Sequence, residues 1–255
     1  QNKLKMSSVK RTLIGGSAVP ISMIERFWKE HGAEVVQGWG MTEMSPLGTT
    51  TRFNRGERQL PDAERFAITA KAGRPVYGCE MKIIDDAGND LPSDGSVSGN
   101  LVVRGPWIVK GYMKGDGQGQ FLKDDWFMTG DVCKIEKDGS VVITDRSKDV
   151  IKSGGEWISS IDLENAAMGC PGVAEAAVIG VAHPKWDERP LLIVVKRPDA
   201  SVTKEELLKF LDGKIAKWWM PDDVQFIDAI PHGATGKILK TALRKHFESY
   251  KLPTA

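Results

Sequence analysis

The feature that most constrains the fold of this chain is residues 145–164, DRSKDVIKSGGEWISSIDLE, whose first half is charged and rich in glycine. No apolar periodicity begins there before Ile158 and Ile161, so residues 145–155 are predicted to form a joint and a loop rather than a buried element. Upstream, short alternating strands are broken by Asp-Gly and Gly-Asn turns, whereas downstream strands alternate with helices that have good N-caps. The pattern therefore predicts two compact units that meet at this joint.

Length and composition limit the classes of protein that fit. With 255 residues and 41% hydrophobic content, the chain can bury a sizeable core as one large or two modest domains. A net charge of +1 gives no electrostatic footprint for nucleic acid, and no apolar run is long enough to span a bilayer. The cysteines Cys79, Cys133 and Cys170 lack a C-x-x-C spacing, which argues against a disulfide framework or structural zinc and favours a cytoplasmic protein. The chain opens with Gln1 and soon reaches an apolar run, so we expect the natural protein to be longer.

The first candidate site lies where a short apolar strand meets glycine. Residues 12–14 are predicted to form a buried strand, and Ser22 is predicted to cap the helix that follows. The turn between them consists of Gly15, Gly16, Ser17 and Ala18. Small residues and free backbone N–H groups at the end of a strand are typical of ligand sites in open α/β sheets. A tight turn without a ligand is the alternative interpretation.

A second strand, residues 34–37, is predicted to run into the motif Gly38-Trp39-Gly40-Met41-Thr42-Glu43. The two glycines that flank Trp39 would let the ring of a ligand approach its indole. Thr42 can donate to a phosphate oxygen, and Glu43 can hold Mg²⁺, which takes oxygen ligands and usually bridges protein to phosphate. Alternatively, Trp39 belongs to the core and Glu43 is a solvated charge.

The middle of the chain is predicted to be rich in β-structure. The strongest hairpin signal is the Asp138-Gly139 turn between strands at 133–136 and 141–143, and residues 111–125 are predicted to form a surface loop. Just before this hairpin, the motif Thr129-Gly130-Asp131 places an acid at the entrance of a strand. That arrangement suits a bidentate grip on two neighbouring hydroxyls such as those of a ribose, and a simple Asx-turn cap is the alternative.

Beyond the joint, strands and helices alternate. Ser159 and Thr203 are predicted to cap two helices, and residues 176–181 and 191–195 form near-continuous apolar strands. The pair Trp218-Trp219 is interpreted as core or as a contact between domains. A final helix is predicted to begin near Gly236-Lys237, where the lysine can project from the helix mouth, although a lysine in such a place is ordinarily a solvated charge. The residues of this helix predicted to face inward are Ile238, Leu239, Ala242, Leu243 and Phe247.

The serial order of these motifs resembles that of the adenylate-forming superfamily, in particular of its AMP-dependent fatty-acyl-CoA ligases. The similar motifs are Gly15-Gly16-Ser17, Gly38-Trp39-Gly40-Met41-Thr42-Glu43, Thr129-Gly130-Asp131, Asp145-Arg146-Ser147-Lys148-Asp149, Lys152-Ser153-Gly154-Gly155-Glu156 and Gly236-Lys237. The resemblance covers essentially the whole chain. The joint and the strand after it are most similar to the medium- and long-chain fatty acid ligase branch, which also contains 3-methylmercaptopropionate ligases.

The resemblance implies a fold class and a division into domains. Residues 1–145 would be the α/β and β-rich C-terminal part of a large AMP-binding domain, with an αβ segment at 1–50 and a β-rich subdomain at 51–145. Residues 146–255 would be a small mobile α+β domain, with a hinge at 145–149. Members of this family carry upstream a Ser/Thr/Gly-rich loop with a lysine that cradles the β- and γ-phosphates, and no stretch of the chain matches it. The chain thus resembles the C-terminal half of a ligase, and we expect it to be inactive alone.

The resemblance also implies a two-step reaction with ATP, Mg²⁺ and coenzyme A. A fatty carboxylate attacks the α-phosphate of ATP to give an acyl-adenylate and pyrophosphate, and the thiol of coenzyme A then attacks the acyl carbonyl and releases AMP. Lys237, Thr42 and Glu43 would be catalytic, with Glu43 as the Mg²⁺ ligand. The nucleotide would contact Gly15, Gly16, Ser17, Ala18, Gly38, Trp39, Gly40, Met41, Thr42, Asp131 and Arg146.

For the second step, the resemblance implies that the small domain rotates about Lys148. The rotation would withdraw Lys237 and bring in a pantetheine tunnel with room beside its two glycines. The tunnel would be formed by Lys152, Ser153, Gly154, Gly155, Glu156 and Trp157. Gly40 would leave an acyl channel open, because some relatives limited to very short acids have a bulky aromatic residue there.

Two other functions stay open at this point. The chain could be an amino-acid or aryl-acid adenylating domain that feeds a carrier protein, or a non-catalytic fragment that holds AMP or coenzyme A without turnover. The fatty-acid-like joint favours the coenzyme A ligase. The expected partners are a small carboxylic acid, ATP and coenzyme A rather than nucleic acid, with a homodimer left open. Acetylation of Lys237, which the resemblance also suggests, would remove the charge that the first step needs.

Overall fold

The computed structural model describes residues 7–234 and 236–255. Gln1, at the predicted cut end, and Thr235, in the predicted loop before Lys237, lie outside the described residues. The chain divides into two compact units, one that ends at Ile143 and one that comprises Thr144–Ala255. Within the described residues, no helix combines the length and the apolar character that a membrane crossing needs.

The first sheet of the first unit places two strand ends side by side. Strands β1 and β2 are parallel, and β3 and β4 continue the sheet in antiparallel pairs. The elements are β1 (Arg11–Gly15), α1 (Ile21–His31), β2 (Glu34–Gly40), β3 (Leu47–Thr50), α2 (Asp62–Thr69) and β4 (Arg74–Pro75). Ile24 of α1, Val35 of β2 and Phe66 of α2 pack together in a small core. This packing fixes the orientation of the two parallel strands, and with it the place where their carboxyl ends lie.

The ends of α1 show how local chemistry sets its length. The predicted cap at Ser22 is wrong, because α1 begins directly after Pro20, whose carbonyl accepts hydrogen bonds from the N–H groups of Met23 and Ile24. The helix ends at Gly32, which has a φ of 62° and donates to the Trp28 carbonyl. A glycine in the left-handed region satisfies the last carbonyls of a helix without the steric cost that a side chain would add.

The second sheet of the first unit is an antiparallel meander. Its strands are β5 (Glu80–Ile84), β6 (Gly99–Arg104), β7 (Phe127–Ile135) and β8 (Val141–Arg146), in that order, and the last three residues of β8 belong to the second unit. Ile83, Leu101 and Phe127 lie at its core, where each is almost completely buried. The predicted Asp138-Gly139 hairpin is confirmed as the turn between β7 and β8, and Gly139 has a φ of +80° there.

The second unit is a small α+β domain. Strands β9 and β10 form a hairpin, β11 and β12 form a long antiparallel pair, and β13 lies parallel to β12. Helices α3 and α4 begin at the predicted caps Ser159 and Thr203, and Thr203 forms a complete capping box with Glu206. The elements are β9 (Ile151–Ser153), β10 (Glu156–Ile158), α3 (Ser160–Met168), β11 (Val173–His183), β12 (Asp187–Lys196), α4 (Lys204–Leu211), β13 (Asp223–Phe226) and α5 (Lys240–His246).

Residues 145–155 are not simply an exposed loop, so that prediction is wrong in part. Asp145 is 1% exposed, and Ile151 of β9 is fully buried opposite Ile158 of β10. Both isoleucines belong to the core that α3 and α4 cover. Strands of three residues with one buried apolar side chain each are too short to produce a periodic pattern, so the sequence carried no signal for them.

The long β11–β12 pair separates two apolar cores. Val178 and Leu192 face the core shared with α3 and α4, whereas Ile179 and Ile193 face the core that includes Leu243 of α5. The predicted alternation of strands and helices is therefore present, and the fold class is confirmed: an α/β and β-rich first unit and a small α+β second unit.

The last helix is shorter than predicted. It begins at Lys240, and of the residues predicted to face inward, Leu243 is buried while Ile238 and Phe247 pack partly against the core. Leu239 and Ala242 are exposed, so their predicted orientation is wrong. Because α5 begins only after Leu239, the face of the helix that is buried differs from the face that the apolar spacing had suggested.

All three cysteines are buried as free thiols. Burial raises the pKa of the Cys79 thiol to about 11, and it also raises the pKa values of Cys133 and Cys170 above their usual range. These thiols are therefore protonated and unreactive at neutral pH.

Candidate functional site

The predicted glycine turn and the predicted aromatic motif lie at the same edge of the first sheet. Gly15, the last residue of β1, is paired in register with Gly38 of β2. A Cβ atom at Gly15 would lie 2.8 Å from the Gly38 carbonyl oxygen, so the two backbones approach closely because side chains are absent. Gly15 and the three residues that follow it, Gly16, Ser17 and Ala18, are exposed. The strand ends thus present bare backbone next to Trp39.

A buried glutamine fixes the segment that follows this turn. The Gln37 side chain is 5% exposed, and its Oε1 accepts a hydrogen bond from the Val19 N–H at 3.0 Å. Its Nε2 donates to the Lys71 carbonyl at 3.0 Å, just beyond α2. Because Gln37 lies on β2, these hydrogen bonds fix the position of the end of the turn relative to that strand.

Trp39 and Asp131 touch, although they are far apart in the sequence. The indole Nε1 of Trp39 donates to Asp131 Oδ2 at 3.0 Å. Trp39 is half-buried, and a Cβ atom at Gly48 would lie 2.8 Å from its ring, so glycine at 48 makes room for the indole. Asp131 is 4% exposed. Trp39, predicted to hold the base, and Asp131, predicted to hold the ribose, are therefore neighbours on one unit.

A bulge in β7 aims Asp131 toward Trp39. The β6–β7 register shifts between Asn100 and Val102, opposite Thr129, Gly130 and Asp131. The Thr129 hydroxyl donates to the Leu101 carbonyl at 2.9 Å and accepts from the Asp131 N–H at 3.1 Å. Gly130 has a φ of +76°, a conformation that side chains rarely adopt. Bulges of this kind redirect a side chain out of the regular alternation of a strand.

Thr42 and Glu43 follow β2 in a short 3₁₀ turn. Buried Met44 anchors this turn, Thr42 is exposed, and Glu43 is half-buried. The Tyr112 hydroxyl donates to Glu43 Oε1 at 2.7 Å, and the Val109 N–H donates to the Glu43 carbonyl at 2.8 Å. Glu43 is thus oriented by a hydrogen bond rather than being only a solvated charge.

Tyr112 is a residue of this site that the sequence did not reveal. It lies in residues 111–125, predicted as a surface loop, and its ring packs edge-on against Phe121 and Phe127. Burial, followed by the neighbouring Glu43 carboxylate, raises the pKa of Tyr112 to about 12, so its hydroxyl remains a donor at neutral pH. No local motif could have indicated a contact across so long a sequence separation.

The residues around Glu43 fit a magnesium ion that is shared with a substrate. Within residues 7–234 and 236–255, no group of three or more His, Cys, Asp or Glu side chains could hold a metal ion. Mg²⁺ usually binds through one or two carboxylates together with substrate phosphates and water. A single oriented carboxylate beside the exposed hydroxyl of Thr42 matches that mode of binding.

Gly40 has a structural reason to be glycine. A Cβ atom at this position would lie 1.9 Å from the Pro46 carbonyl oxygen and 3.0 Å from Leu47 Cα. Both atoms belong to the backbone, which cannot move aside as a flexible side chain can. Any side chain at position 40 therefore requires the chain after the 3₁₀ turn to shift, whether or not an acyl channel lies nearby. The half-buried Met41 follows it directly.

The predicted pantetheine segment forms the β9–β10 hairpin of the second unit. Its turn consists of Gly154 and Gly155, with φ values of +60° and +87°. Lys152 and Glu156 are exposed, and Trp157 is half-buried. Ser153 is 5% exposed, and its Oγ accepts a hydrogen bond from Arg189 Nη1 at 3.2 Å. The segment therefore has an exposed glycine turn whose first strand is held in place by the hydrogen bond between Ser153 and Arg189.

Trp186 is a second residue that the sequence did not reveal. The Gly154 N–H donates to the Trp186 carbonyl at 2.8 Å, and a Cβ atom at Gly154 would lie 2.9 Å from the Trp186 ring. The indole is 41% exposed, and the Lys185 ammonium lies 4.6 Å from its centroid. A partly bare aromatic beside a glycine turn can stack on a planar group.

The cationic residues of the predicted site lie in the second unit. Lys237 is exposed near the end of a tight loop, in which the Gly233 N–H donates to the Lys237 carbonyl at 2.8 Å. Lys148 is exposed in the turn after β8, and Arg146, which ends β8, is half-buried. The roles of Lys237 and Arg146 toward a nucleotide, and of Lys148 as the hinge, remain predictions.

Both parts of the sequence match described protein families. Residues 1–113 match the family of AMP-binding enzymes, and residues 162–237 match the AMP-binding enzyme C-terminal domain. The two matches occur in the order that the motifs predicted. The chain belongs to the AMP-binding enzyme family.

Curated relatives in this family refine the comparison. The chain is 53% identical over 244 residues to a 3-methylmercaptopropionyl-CoA ligase of Ruegeria lacuscaerulensis, covering 96% of this chain and 45% of that protein. It is 46% identical over 246 residues to a medium-chain fatty-acid–CoA ligase of Ectopseudomonas oleovorans, covering 96% and 45%. The predicted resemblance to the fatty acid ligase branch is thereby confirmed. The chain spans about half the length of these AMP-binding enzymes.

The fold is also similar to that of a solved structure. ATP-bound MatB from Rhodopseudomonas palustris is similar with a TM-score of 0.80 and 30% sequence identity. The match covers 94% of this chain and 46% of that one.

Proposed function

We propose that this chain is the C-terminal part of an ATP-dependent fatty-acid–CoA ligase. The observation that carries the proposal is the Trp39–Asp131 hydrogen bond, beside the edge where Gly15 and Gly38 are paired. An aromatic face, a buried carboxylate and bare backbone next to one another suit a purine, its ribose and a phosphate. The names of the relatives support a carboxylic acid and coenzyme A as the other substrates.

The first step requires positive charge and donors at a phosphorus centre. An oxygen of the fatty carboxylate attacks the α-phosphorus, and the bond to the β-phosphate breaks, so pyrophosphate leaves. Lys237 supplies a cation toward the reacting carboxylate and phosphate oxygens, and the exposed Thr42 hydroxyl donates to the phosphate. Groups oriented in advance toward developing charge supply most of the catalysis in such reactions.

Glu43 would hold the magnesium ion of this step. When bound, Mg²⁺ neutralises phosphate charge. The chain's own contribution is orientation, since the Tyr112 hydroxyl holds one Glu43 oxygen and leaves the other available. On the ribose side, we propose that Asp131 accepts hydrogen bonds from the hydroxyls and that Arg146 also holds them.

The second step requires a different surface. The thiol sulfur of coenzyme A attacks the acyl carbonyl, the bond to the AMP phosphate breaks, and the thiol proton passes to solvent. The glycine turn at Gly154 and Gly155 leaves space for pantetheine beside the backbone. We propose that the second unit rotates about Lys148 between the steps, withdrawing Lys237 and presenting residues 152–157.

Measuring pyrophosphate release by the complete ligase tests this function. The enzyme that contains the chain is given ATP and a panel of fatty, aryl and amino acids, with and without coenzyme A. Release with fatty acids and thioester formation with coenzyme A are expected. Release only with aryl or amino acids would identify a different adenylating enzyme. Nucleotide binding without release for any acid would identify a binding module. The 255-residue chain alone is expected to release none.

Replacing Tyr112 with phenylalanine is expected to weaken magnesium dependence. The variant loses the hydrogen bond that orients Glu43, and losing such an outer contact typically lowers metal affinity by about 10-fold. The Mg²⁺ concentration for half-maximal adenylate formation in the complete ligase and the binding of Mn²⁺ measured by electron paramagnetic resonance both report the effect. Tyr77→Phe is the matched control, because the Tyr77 side chain is fully exposed. Equal metal binding by the two variants would contradict the role of Tyr112.

Replacing Trp186 with alanine is expected to raise the KM for coenzyme A by up to about 10-fold, since an aromatic stacking contact contributes on that scale. The KM for ATP should stay unchanged, because Trp39, Thr42 and Asp131, which are proposed to hold the nucleotide, lie in the other unit. Trp218→Ala is the matched control, since the Trp218 side chain is 45% exposed in the same unit. A similar rise in both variants would show that Trp186 has no specific part in the second step.

A further inference from the structure

Two basic residues on α5 connect the helix after Lys237 to the joint. Lys240 and Arg244 are one helical turn apart and therefore lie on the same face of α5. Lys240 Nζ pairs with Glu164 Oε1 at 2.8 Å, and Arg244 Nη2 pairs with Asp149 Oδ1 at 2.8 Å. Neither basic residue belongs to a motif that the sequence marks as a site.

The Lys240 contact leads to Asp145, the first residue of the joint. Lys240 Nζ also donates to the Ser160 hydroxyl. Ser160 in turn donates from its hydroxyl and its N–H to Asp145 Oδ2, at 2.5 and 2.7 Å. Asp145 is 1% exposed, and the Lys240 side chain is 10% exposed. A buried carboxylate and a buried ammonium are thus connected through one serine.

Glu164 ties this cluster to the rest of the unit. Its Oε1 accepts both Lys240 Nζ and the N–H of Val178 on β11, each at 2.8 Å. Burial raises the pKa of Glu164 and of Asp145, and the nearby Lys240 ammonium opposes that shift in both carboxyls. Buried charges that share partners in this way have few alternative arrangements, so the cluster holds α5 in one position.

Arg244 completes the connection at the other end of the joint. Asp149 lies four residues after Asp145, as Arg244 lies four residues after Lys240. The Asp149 side chain is 13% exposed and that of Arg244 is 32% exposed. Both ends of residues 145–149 are therefore attached to the same face of α5.

The loop that carries Lys237 is attached to the start of this helix. The Leu239 N–H donates to the Pro231 carbonyl at 2.8 Å, and the Gly233 N–H donates to the Lys237 carbonyl at 2.8 Å. Because the loop is closed on itself and leads directly into Lys240, its position follows that of α5.

We propose that Lys240 and Arg244 are positioning residues for Lys237, because they attach α5, and with it the Lys237 loop, to both ends of the joint at residues 145–149. The inference rests on the proposed function, in which Lys237 acts in the first step. Any change in the backbone conformation of the joint then moves Lys237 directly. Loss of either attachment makes the position of Lys237 variable but leaves the residues of the second step in place.

Arg244 is the residue to test, since a partly exposed ion pair contributes little to stability, whereas a variant of buried Lys240 could fail to fold. In the complete ligase, Arg244→Met is expected to lower kcat for adenylate formation by about 10-fold or more, the scale of a small misplacement of a catalytic group. The KM for ATP and the rate of thioester formation from supplied acyl-adenylate should not change. The charge-swapped double variant Asp149→Arg, Arg244→Asp should recover most of the lost rate. Lys245→Met, an exposed lysine on the same helix, is the matched control.

Three results would overturn the proposal. In the first, the Arg244→Met variant forms adenylate at the same rate as Lys245→Met. In the second, the rates of both half-reactions fall together with the Tm. In the third, the charge-swapped double variant recovers none of the lost rate. If the unmodified ligase forms no adenylate from any acid, the proposed function fails, and hydrogen exchange on the 255-residue chain decides the attachment separately. Arg244→Met, and not Lys245→Met, should then speed amide exchange both at 146–150 and in the loop before α5. Equal exchange in the two variants would show that no such attachment exists.

Discussion

Replacing Lys237 with alanine in the complete ligase is expected to lower the rate of acyl-adenylate formation by about 100-fold or more, the effect of removing a preorganised group that stabilises transition-state charge. The lysine is exposed near the end of a closed loop, so the substitution removes a charge without disturbing a core. ATP–pyrophosphate exchange in the presence of a fatty acid measures this step directly.

The second half-reaction separates this role from general damage. Thioester formation from supplied acyl-adenylate and coenzyme A should proceed at nearly the original rate in the same variant, because the proposed rotation withdraws Lys237 before that step. Lys245→Ala, on the exposed face of α5, is the control for loss of a lysine. An undiminished rate of ATP–pyrophosphate exchange in the Lys237 variant would contradict the role of Lys237 in the first step. If Lys237 acted chemically in both steps, the rates of both half-reactions would fall.

Replacing Gly40 with alanine is expected to lower the free energy of unfolding of the 255-residue chain by about 3 kcal/mol or more, a large cost for overpacking. The added Cβ atom would lie 1.9 Å from the Pro46 carbonyl oxygen, so the backbone between β2 and β3 must move. Urea denaturation followed by tryptophan fluorescence measures the change.

Gly119→Ala is the matched control for the glycine substitution. Apart from its two chain neighbours, no residue has an atom within 4 Å of a Cβ built at Gly119, and the φ of Gly119 lies outside the left-handed region. An acyl-channel role alone predicts a changed preference for acids with no loss of stability at position 40. Unchanged stability in the Gly40 variant would therefore favour the channel and contradict the steric explanation.

Local chemistry explains what the sequence predicted correctly. The Thr203 capping box, the Asp138-Gly139 hairpin and the helix after Ser159 each depend on residues within a few positions of one another. The pairing of Gly15 with Gly38 was not predicted, although parallel strands joined by a helix end at the same edge of a sheet.

The remaining features depend on contacts that sequence spacing does not encode. Tyr112 meets Glu43, and Arg244 meets Asp149, only after separate elements have packed together. Trp186 was hidden for another reason, since it lies in the turn of an apolar hairpin and only the packing shows its ring against Gly154. Ser22 misled the prediction because a backbone carbonyl at Pro20 opens α1 in place of a side chain.

The buried state of the cysteines makes this chain convenient for fluorescence labelling. With the thiols of Cys79, Cys133 and Cys170 protonated and shielded, maleimide dyes should react first with cysteines introduced at chosen exposed sites. One dye at Tyr77 and another at Glu156 would lie on different units, so single-molecule energy transfer could follow a rotation about the joint in real time without prior removal of the native thiols.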